Sequence, residues 1–207
     1  MVRKATKRSR DGKKRREKKL IVVAAEGENK TELTYLKEFN RRQKEYRIIP
    51  AKGNNTDPEN LIEDAKKSAI RESLDFSFGD RAIAVFDTDV GKEQCIRKAV
   101  EKAKRENVEV YLSNPCFEVW LLLHFKYSTK SYYSSAEVVD DLRNVWKDFE
   151  KNMSSFGCLE DCIKQAIENA EKLEKYNLEM HLKRDTVTFN PGTDVHKLIK
   201  MIMSDVI

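Results

Sequence analysis

The sequence lacks the features that mark several large classes of protein. It has no apolar run long enough to cross a membrane, and no apolar segment of a secretory signal follows its basic beginning. One C-x₃-C pair stands without a matching second pair, which argues against a zinc site and fits a reduced, cytoplasmic protein. The Walker A and G-x-G-x-x-G signatures are missing, so a nucleotide-binding site is not indicated. We expect the four cysteines to be small buried thiols: Cys95, Cys116, Cys158 and Cys162.

Positive charge is concentrated at the beginning of the chain. The formal net charge is +5, but residues 1 to 19 hold 11 of the 40 Lys and Arg residues and 2 of the 35 Asp and Glu residues. Acidic residues therefore outnumber basic ones in the remainder. Residues 1 to 19 form either an arm that binds nucleic acid phosphates in a salt-dependent way or a solvated, disordered leader.

Short apolar runs alternate with helical patterns through the first part of the body. The 207 residues suffice for one well-buried core. The predicted strands are LIVVAA (20–25), YRIIPA (46–51), AIAVF (82–86) and VEVYL (108–112). This alternation predicts an α/β fold with a mostly parallel four-stranded sheet over residues 20 to 125, flanked by helices. Residues 126 to 207 are expected to form a helical portion packed on that core.

Proline and polar residues mark the ends of several of these elements. Pro50 predicts the end of a strand or an edge strand. Pro58, preceded by Asp57 as a cap, predicts the start of a helix. Asn114 and Pro115 are read in the same way, as the cap and first residue of an apolar helix. Residues 189 to 193 read as a turn before the last helix.

Two carboxylates follow the third predicted strand directly. Because side chains alternate along an extended chain, Asp87 and Asp89 project to the same side and Thr88 to the other. The carboxyl ends of strands are where open α/β sheets place their ligands, and a divalent cation would relieve the repulsion between the two acids. The sequence thus predicts a Mg²⁺ site; the alternative is a solvated turn with Asp89 as a helix cap. Glu26 and Glu28 follow the first strand at the same edge.

Two polar residues interrupt the apolar helix predicted after Asn114. Glu118 lies in its first turn, where the helix dipole favours an acid, although its apolar neighbours would also call for a cation or another partner. His124 lies near the end of this helix, a position more typical of a capped or core histidine than of a catalyst. At 100° per residue the two side chains lie roughly 120° apart, so they need not share one site.

Basic and aromatic residues interleave between residues 126 and 135, in a predicted loop. Such a loop could stack on single-stranded nucleic acid, or it could be an ordinary surface loop. The residues concerned are Lys126, Tyr127, Lys130, Tyr132 and Tyr133.

The order of these motifs resembles the TOPRIM domain of topoisomerases, primases and related nucleases, in which a strand-end glutamate and a D-x-D pair bind Mg²⁺. More narrowly, the chain resembles the RloB-like family, TOPRIM-type proteins associated with bacterial restriction and phage-defence loci. The resemblance rests on EGENKTELTYL (Glu26 to Leu36), VFDTD (Val85 to Asp89), SNPCFEVWLLLHF (Ser113 to Phe125) and NPGTDVHKL (Asn190 to Leu198).

The resemblance implies a metal-dependent nuclease that cleaves DNA or RNA in antiviral defence, beside an ATPase partner. It assigns Glu26, Asp87 and Asp89 to the metal, with Glu118 as a fourth carboxylate for a second ion and Glu28 as a weaker candidate. The ion would be Mg²⁺, with Mn²⁺ as a substitute. His124, or Lys183 from the C-terminal part, is a candidate for steadying developing charge. A monomer and an oligomer both fit the sequence.

Two other functions compete with the nuclease. The DTDV segment also resembles the start of haloacid-dehalogenase phosphatases, in which Asp87 would be a nucleophile. Against it, Gly91 interrupts an expected apolar run and the Glu26 block has no role. The other is a non-enzymatic module that binds nucleic acid through the basic arm and an acidic pocket. Strand passage is not expected, because the chain has no room for the tyrosine nucleophile domain of a topoisomerase.

Overall fold

The computed structural model describes residues 18–26, 31–88, 93–150, 156–184 and 186–204. The predictions for Asp89, for Glu28 and for the arm up to residue 17 lie outside these ranges. The strands are β1 (Lys19–Ala25), β2 (Tyr46–Pro50), β3 (Arg81–Asp87), β4 (Glu109–Asn114) and β5 (Gly192–Thr193). The helices are α1 (Thr31–Glu38), α2 (Pro58–Arg71), α3 (Glu93–Glu106), α4 (Glu118–Leu123), α5 (Ser135–Val145), α6 (Phe156–Leu159), α7 (Ile163–Glu179) and α8 (Val195–Ile202).

The strands form one mixed sheet in the order β2-β1-β3-β4-β5. The first four strands are parallel, as the alternation of strands and helices predicts. The prediction of four strands is wrong by one, because Gly192 and Thr193 pair antiparallel with Asn114 and Ser113. A strand of two residues has no periodicity to read, so its sequence indicated only a turn.

The central strands β1 and β3 are buried on both faces, which explains their uninterrupted apolar runs. β2 lies at the edge of the sheet and ends at Pro50, as predicted. The start of α2 is also confirmed, because the Asp57 carboxylate accepts a hydrogen bond of 3.1 Å from the backbone N–H of Asn60. β1 begins at Lys19, inside the segment assigned to the arm.

The predicted helix start at Asn114 is wrong. Asn114 is the last residue of β4, paired with Gly192, and therefore does not cap a helix. α4 begins only at Glu118, with Phe117 at its N-cap and no side-chain cap hydrogen bond. The pairing partner comes from 78 residues further along the chain, so local sequence could not reveal it.

Two apolar clusters cover the two faces of the sheet. The alanine face lies under α2 and α3, and more than half of its buried residues are alanine: Ala24, Ala51, Ala65, Ala69, Ala82, Ala84, Ala99 and Ala103. The aromatic face carries α1, α4, α5, α7 and α8, with large rings throughout: Tyr35, Phe39, Tyr46, Phe117, Trp120, Tyr132, Trp146 and Phe149. Residues beyond 126 share this second cluster with the sheet.

Burial divides the four cysteines, all of which are free thiols. Cys116 is buried as expected, but Cys95 and Cys158 are exposed and Cys162 is half-buried. The expectation of buried thiols is therefore wrong for these three, because they lie on surface turns of α3, α6 and the short 3₁₀ helix that follows α6. Among the described helices, none is both long and apolar enough to span a bilayer.

Candidate metal centre

Three adjacent strands bring their carboxyl ends to one edge of the sheet. Ala25 of β1 lies opposite Val85 of β3, and Asp87 of β3 lies opposite Ser113 of β4. Glu26 follows β1 directly, and Asp87 ends β3. Neighbouring strands are about 4.8 Å apart, so these acids lie at one end of the sheet, as predicted from the sequence.

Strand alternation decides the face on which Asp87 lies. Ile83 and Val85 belong to the aromatic face, while Ala84 and Phe86 belong to the alanine face. Asp87 follows Val85 by two residues and so projects toward the aromatic face. The backbone beyond it is also held, because the Thr88 N–H donates to the Ser113 carbonyl at 2.8 Å.

Cys116 lies where carboxylates from two different elements converge. Glu118, at the start of α4, and Ser135, at the start of α5, both lie close enough to its thiol to act on the pKa of Cys116, Glu118 raising it and Ser135 lowering it. Burial raises the pKa of Cys116 well above its ordinary value, and the negative charges of Glu118 and Asp87 raise it further. The structure thus brings Asp87 and Glu118, 31 positions apart in sequence, into the surroundings of one buried thiol.

The two carboxylates differ in their exposure to solvent. The Glu118 side chain is only 4% exposed, whereas Asp87 is half-buried at the sheet edge. Each has an interaction partner, so neither is an isolated charge. Two acids in a partly dry environment create a negative potential that a divalent cation would offset.

Within the described ranges, no group of three or more His, Cys, Asp or Glu side chains is arranged to hold a metal ion. Glu26, Asp87 and Glu118 therefore do not form a ready three-ligand site by themselves. Asp89 lies outside the described residues, as does Glu28. The convergence of Asp87 and Glu118 is the part of the predicted site that the structure assembles.

His124 lies in the aromatic core beside Trp120 and Tyr35. Its Nδ1 donates to the Trp120 carbonyl at 3.0 Å, and its Nε2 lies 3.3 Å from the Tyr35 hydroxyl. Burial lowers the pKa of His124 to about 4. Such an imidazole is neutral at physiological pH, and both of its nitrogens already have hydrogen-bonding partners. This environment is typical of a structural histidine, and we assign His124 no catalytic step.

The segment that begins at Lys183 crosses the carboxyl edge of the sheet. Lys183 is exposed, and its neighbour Arg184 forms ion pairs with Glu174 and Asp194. Further along, the Asn114 side chain donates to the Thr186 carbonyl at 3.2 Å. This segment therefore helps to enclose the edge.

Cys116 and Ser135 also lie at this site, which the sequence did not predict. Cys116 lies two residues before Glu118 in the SNPCFE block, so its proximity to that acid was a readable signal. Ser135 gave none, because its contact with Cys116 depends on how the following loop returns to the sheet.

The chain matches the profile of the family described as RloB-like protein over residues 21–202. Comparisons with curated proteins and with solved structures find no significant match. The family match covers β1 from Ile21 onward, β2 to β5, the carboxyl edge with Asp87 and Glu118, and nearly all of the described C-terminal portion. The chain belongs to the RloB-like protein family.

Proposed function

We propose that the chain is a divalent-metal-dependent nuclease of the TOPRIM type, acting on phosphodiester bonds of DNA or RNA. The observation that carries the proposal is the convergence of Asp87 and Glu118 around Cys116, at the edge where Glu26 follows the neighbouring strand β1. Carboxylate oxygens are the ligands that Mg²⁺ prefers in proteins. Membership of the RloB-like family supports the same reaction class, because the motifs shared with that family also resemble those of TOPRIM nucleases.

The donor set fits Mg²⁺ in its chemistry. Asp87, Asp89, Glu26 and Glu118 offer hard oxygen ligands, and we propose that they hold the ion together. The negative charge that Asp87 and Glu118 place around Cys116 is an electrostatic reason for a cation to bind there. When bound, Mg²⁺ supplies the Lewis acid that phosphodiester hydrolysis requires, with Mn²⁺ as a substitute.

The protein's own contribution is to hold the carboxylates rigidly. Asp87 is fixed at its backbone by the β3–β4 pairing, which continues through Thr88. Glu118 lies between Phe117 and Val119, both nearly fully buried, so its carboxylate has little freedom to turn toward solvent. Such preorganisation reduces the reorganisation needed when a charged phosphate approaches.

The test is cleavage of plasmid, single-stranded DNA and total RNA in Mg²⁺, Mn²⁺ or EDTA. We expect metal-dependent cutting, reduced more than about 100-fold in Asp87→Asn, because loss of a metal-holding group exceeds the 10- to 100-fold cost typical of its supporting residues. A second readout is thermal unfolding, in which Mg²⁺ should stabilise the wild type and not Asp87→Asn.

Asp148→Asn serves as the matched control, since Asp148 is exposed and lies outside the proposed site. Cleavage that persists in a folded Asp87→Asn protein would refute the nuclease. Phosphate release from small phosphoesters without nucleic acid cleavage would instead favour the phosphatase. Salt-sensitive binding that is lost on deleting residues 1 to 19 and unaffected by Asp87→Asn, with no cleavage, would favour the binding module.

The biological setting is part of the same proposal and rests on the family resemblance. We place the nuclease in phage defence, with an ATPase as its partner. Co-purification of the full chain with an ATPase expressed from the same locus would test the partner. A protein that elutes alone in that experiment would count against it.

A further inference from the structure

Tyr133 is the most exposed of the large apolar side chains that the structure describes. Its exposed fraction is 89%, while that of the preceding Tyr132 is 2%. Exposed single aromatic residues are common, so exposure by itself means little. What sets Tyr133 apart is how firmly its backbone is held and where it lies.

The backbone that leads into Tyr133 is fixed by hydrogen bonds. The Asn190 side chain accepts from the Tyr132 N–H at 3.0 Å and donates to the Tyr132 carbonyl at 2.6 Å. The Tyr132 hydroxyl donates to Asp141 at 2.9 Å. The Tyr133 N–H itself donates to the Glu137 carboxylate at 3.2 Å. The exposed ring is therefore carried on a rigid support.

This support lies beside the candidate metal centre. Ser135, two residues after Tyr133, lies close enough to the Cys116 thiol to lower the pKa of that thiol, and Asp87 and Glu118 converge on the same thiol. Two residues of chain span at most about 7 Å. The backbone of Tyr133 thus lies within a short distance of the proposed reaction site.

Charge around the loop is nearly balanced. Lys126 and Lys130 share the carboxylate of Asp141, at 3.6 and 3.3 Å. Asp141 neutralises only one of these two lysines, and the nearby Glu137 carboxylate offsets part of the other positive charge. This loop is therefore not suited to strong electrostatic binding of phosphates. It instead presents an exposed aromatic ring on a fixed backbone, and such rings stack on bases in proteins that bind single strands.

We propose that Tyr133 is a stacking platform for an unpaired nucleobase, so that the substrate enters as a single strand. The inference rests on the proposed nuclease function for its purpose, and on the fixed loop for its geometry. It extends that function by naming the form of the substrate. For residues 126 to 135 it favours contact with nucleic acid over an ordinary surface loop.

The test is binding of single-stranded DNA and RNA oligonucleotides carrying 2-aminopurine, measured in EDTA so that nothing is cleaved. The full chain is used as wild type, Tyr133→Ala and Tyr133→Phe. We expect Tyr133→Ala to weaken single-strand binding about 10-fold or more and to abolish quenching of 2-aminopurine. Tyr133→Phe should bind as the wild type does, because its ring still stacks.

Phe76→Ala is the matched control, since Phe76 is also an exposed aromatic but precedes β3, at the opposite edge of the sheet. It should bind single strands normally. A duplex of the same sequence should bind wild type and Tyr133→Ala equally. Thermal unfolding of each variant checks that the fold is intact.

Three results would overturn the inference. The first is that the wild type does not bind single strands. The second is that Tyr133→Ala binds them as tightly as the wild type, and the third is that Tyr133→Phe loses as much affinity as Tyr133→Ala. None of these depends on cleavage. If single strands stack on Tyr133 but no metal-dependent cutting is found, the nuclease fails while the stacking platform stands. If Asp87-dependent cutting occurs while Tyr133→Ala binds single strands normally, the nuclease stands while the stacking platform fails.

Discussion

The two faces of the sheet are built on different principles. On the alanine face, short side chains let α2 and α3 approach β1 and β3 closely, and the contact contains few large rings. On the aromatic face, five helices pack through large rings, and Trp120 and Tyr35 are fully buried among them. Both faces are apolar, yet only one is associated with the candidate site.

The difference lies in the polar groups that each face buries near the site. Cys116, Glu118 and His124 all lie on or beside α4, on the aromatic face, and Asp87 projects to that side. A buried carboxylate or imidazole needs hydrogen-bonding partners, which irregular connections and helix ends provide. The alanine face therefore only packs helices against the sheet, while the aromatic face also carries the polar groups of the candidate site.

Removing the central ring of the aromatic face should have the largest effect on stability. Trp120 is fully buried and contacts both Tyr35 and His124. We expect Trp120→Ala to lower the free energy of unfolding by about 4 kcal/mol, since it removes a large apolar surface and leaves a cavity. Urea unfolding followed by circular dichroism measures this. Ile70→Ala, on the exposed side of α2, is the control and should change stability little. A loss below about 1 kcal/mol for Trp120→Ala would contradict this account of the core.

The buried imidazole on the same face predicts a pH dependence. Burial lowers the pKa of His124 to about 4, against about 6.5 in an unfolded chain. Between these values the unfolded state binds a proton that the folded state does not. The free energy of unfolding should therefore fall as pH drops from 6.5 toward 4, by about 3 kcal/mol from this group, and be independent of this group above 6.5.

Urea unfolding at a series of pH values compares the wild type with His124→Gln. The variant should lose stability less steeply on acidification. Burial also lowers the pKa of His196, so part of the slope will remain. His181→Asn, which changes an exposed histidine with φ of 58°, controls for the loss of one imidazole. An identical slope in wild type and His124→Gln would show that His124 does not titrate as described.

Enlarging a residue on the alanine face should have a smaller effect than emptying the aromatic face. Ala84 is fully buried at the middle of β3, between Ala24 of β1 and Val110 of β4. We expect Ala84→Leu to destabilise the protein by about 2 kcal/mol, because the helices must move apart to accept the larger side chain. Thermal unfolding measures it, with Ala136→Leu on the exposed side of α5 as the control. If Ala84→Leu were neutral, close packing would not define this face.

Much of the fold was readable from the sequence because its strands are short, apolar and regularly separated by helical patterns. β1 to β4 appear within one or two residues of their predicted bounds, and Pro50 and Pro58 have their predicted positions. The errors occur where a residue pairs with a segment that is distant in the sequence. Asn114 reads locally as a helix cap, but pairing with Gly192 makes it the end of a strand.

The candidate site follows the same division. Asp87 could be placed at the carboxyl edge because strand ends and alternation are local properties. The proximity of Asp87 and Glu118 to the same thiol, Cys116, could not be predicted, since it depends on how α4 packs after β4. His124 shows the opposite case: its type and position allowed a catalytic role, whereas its contacts with Trp120 and Tyr35 identify a core residue.

By itself, the sequence determined the α/β class, the parallel direction of the first four strands and the acids at or just beyond the strand ends. These properties follow from the pattern of neighbouring residues. Only the tertiary structure decided which acids meet, which histidine is buried and neutral, and which tyrosine of the 126–135 loop is held out to solvent. These properties depend on contacts between segments far apart in the chain, and the energy of such contacts is set by packing and burial rather than by local pattern.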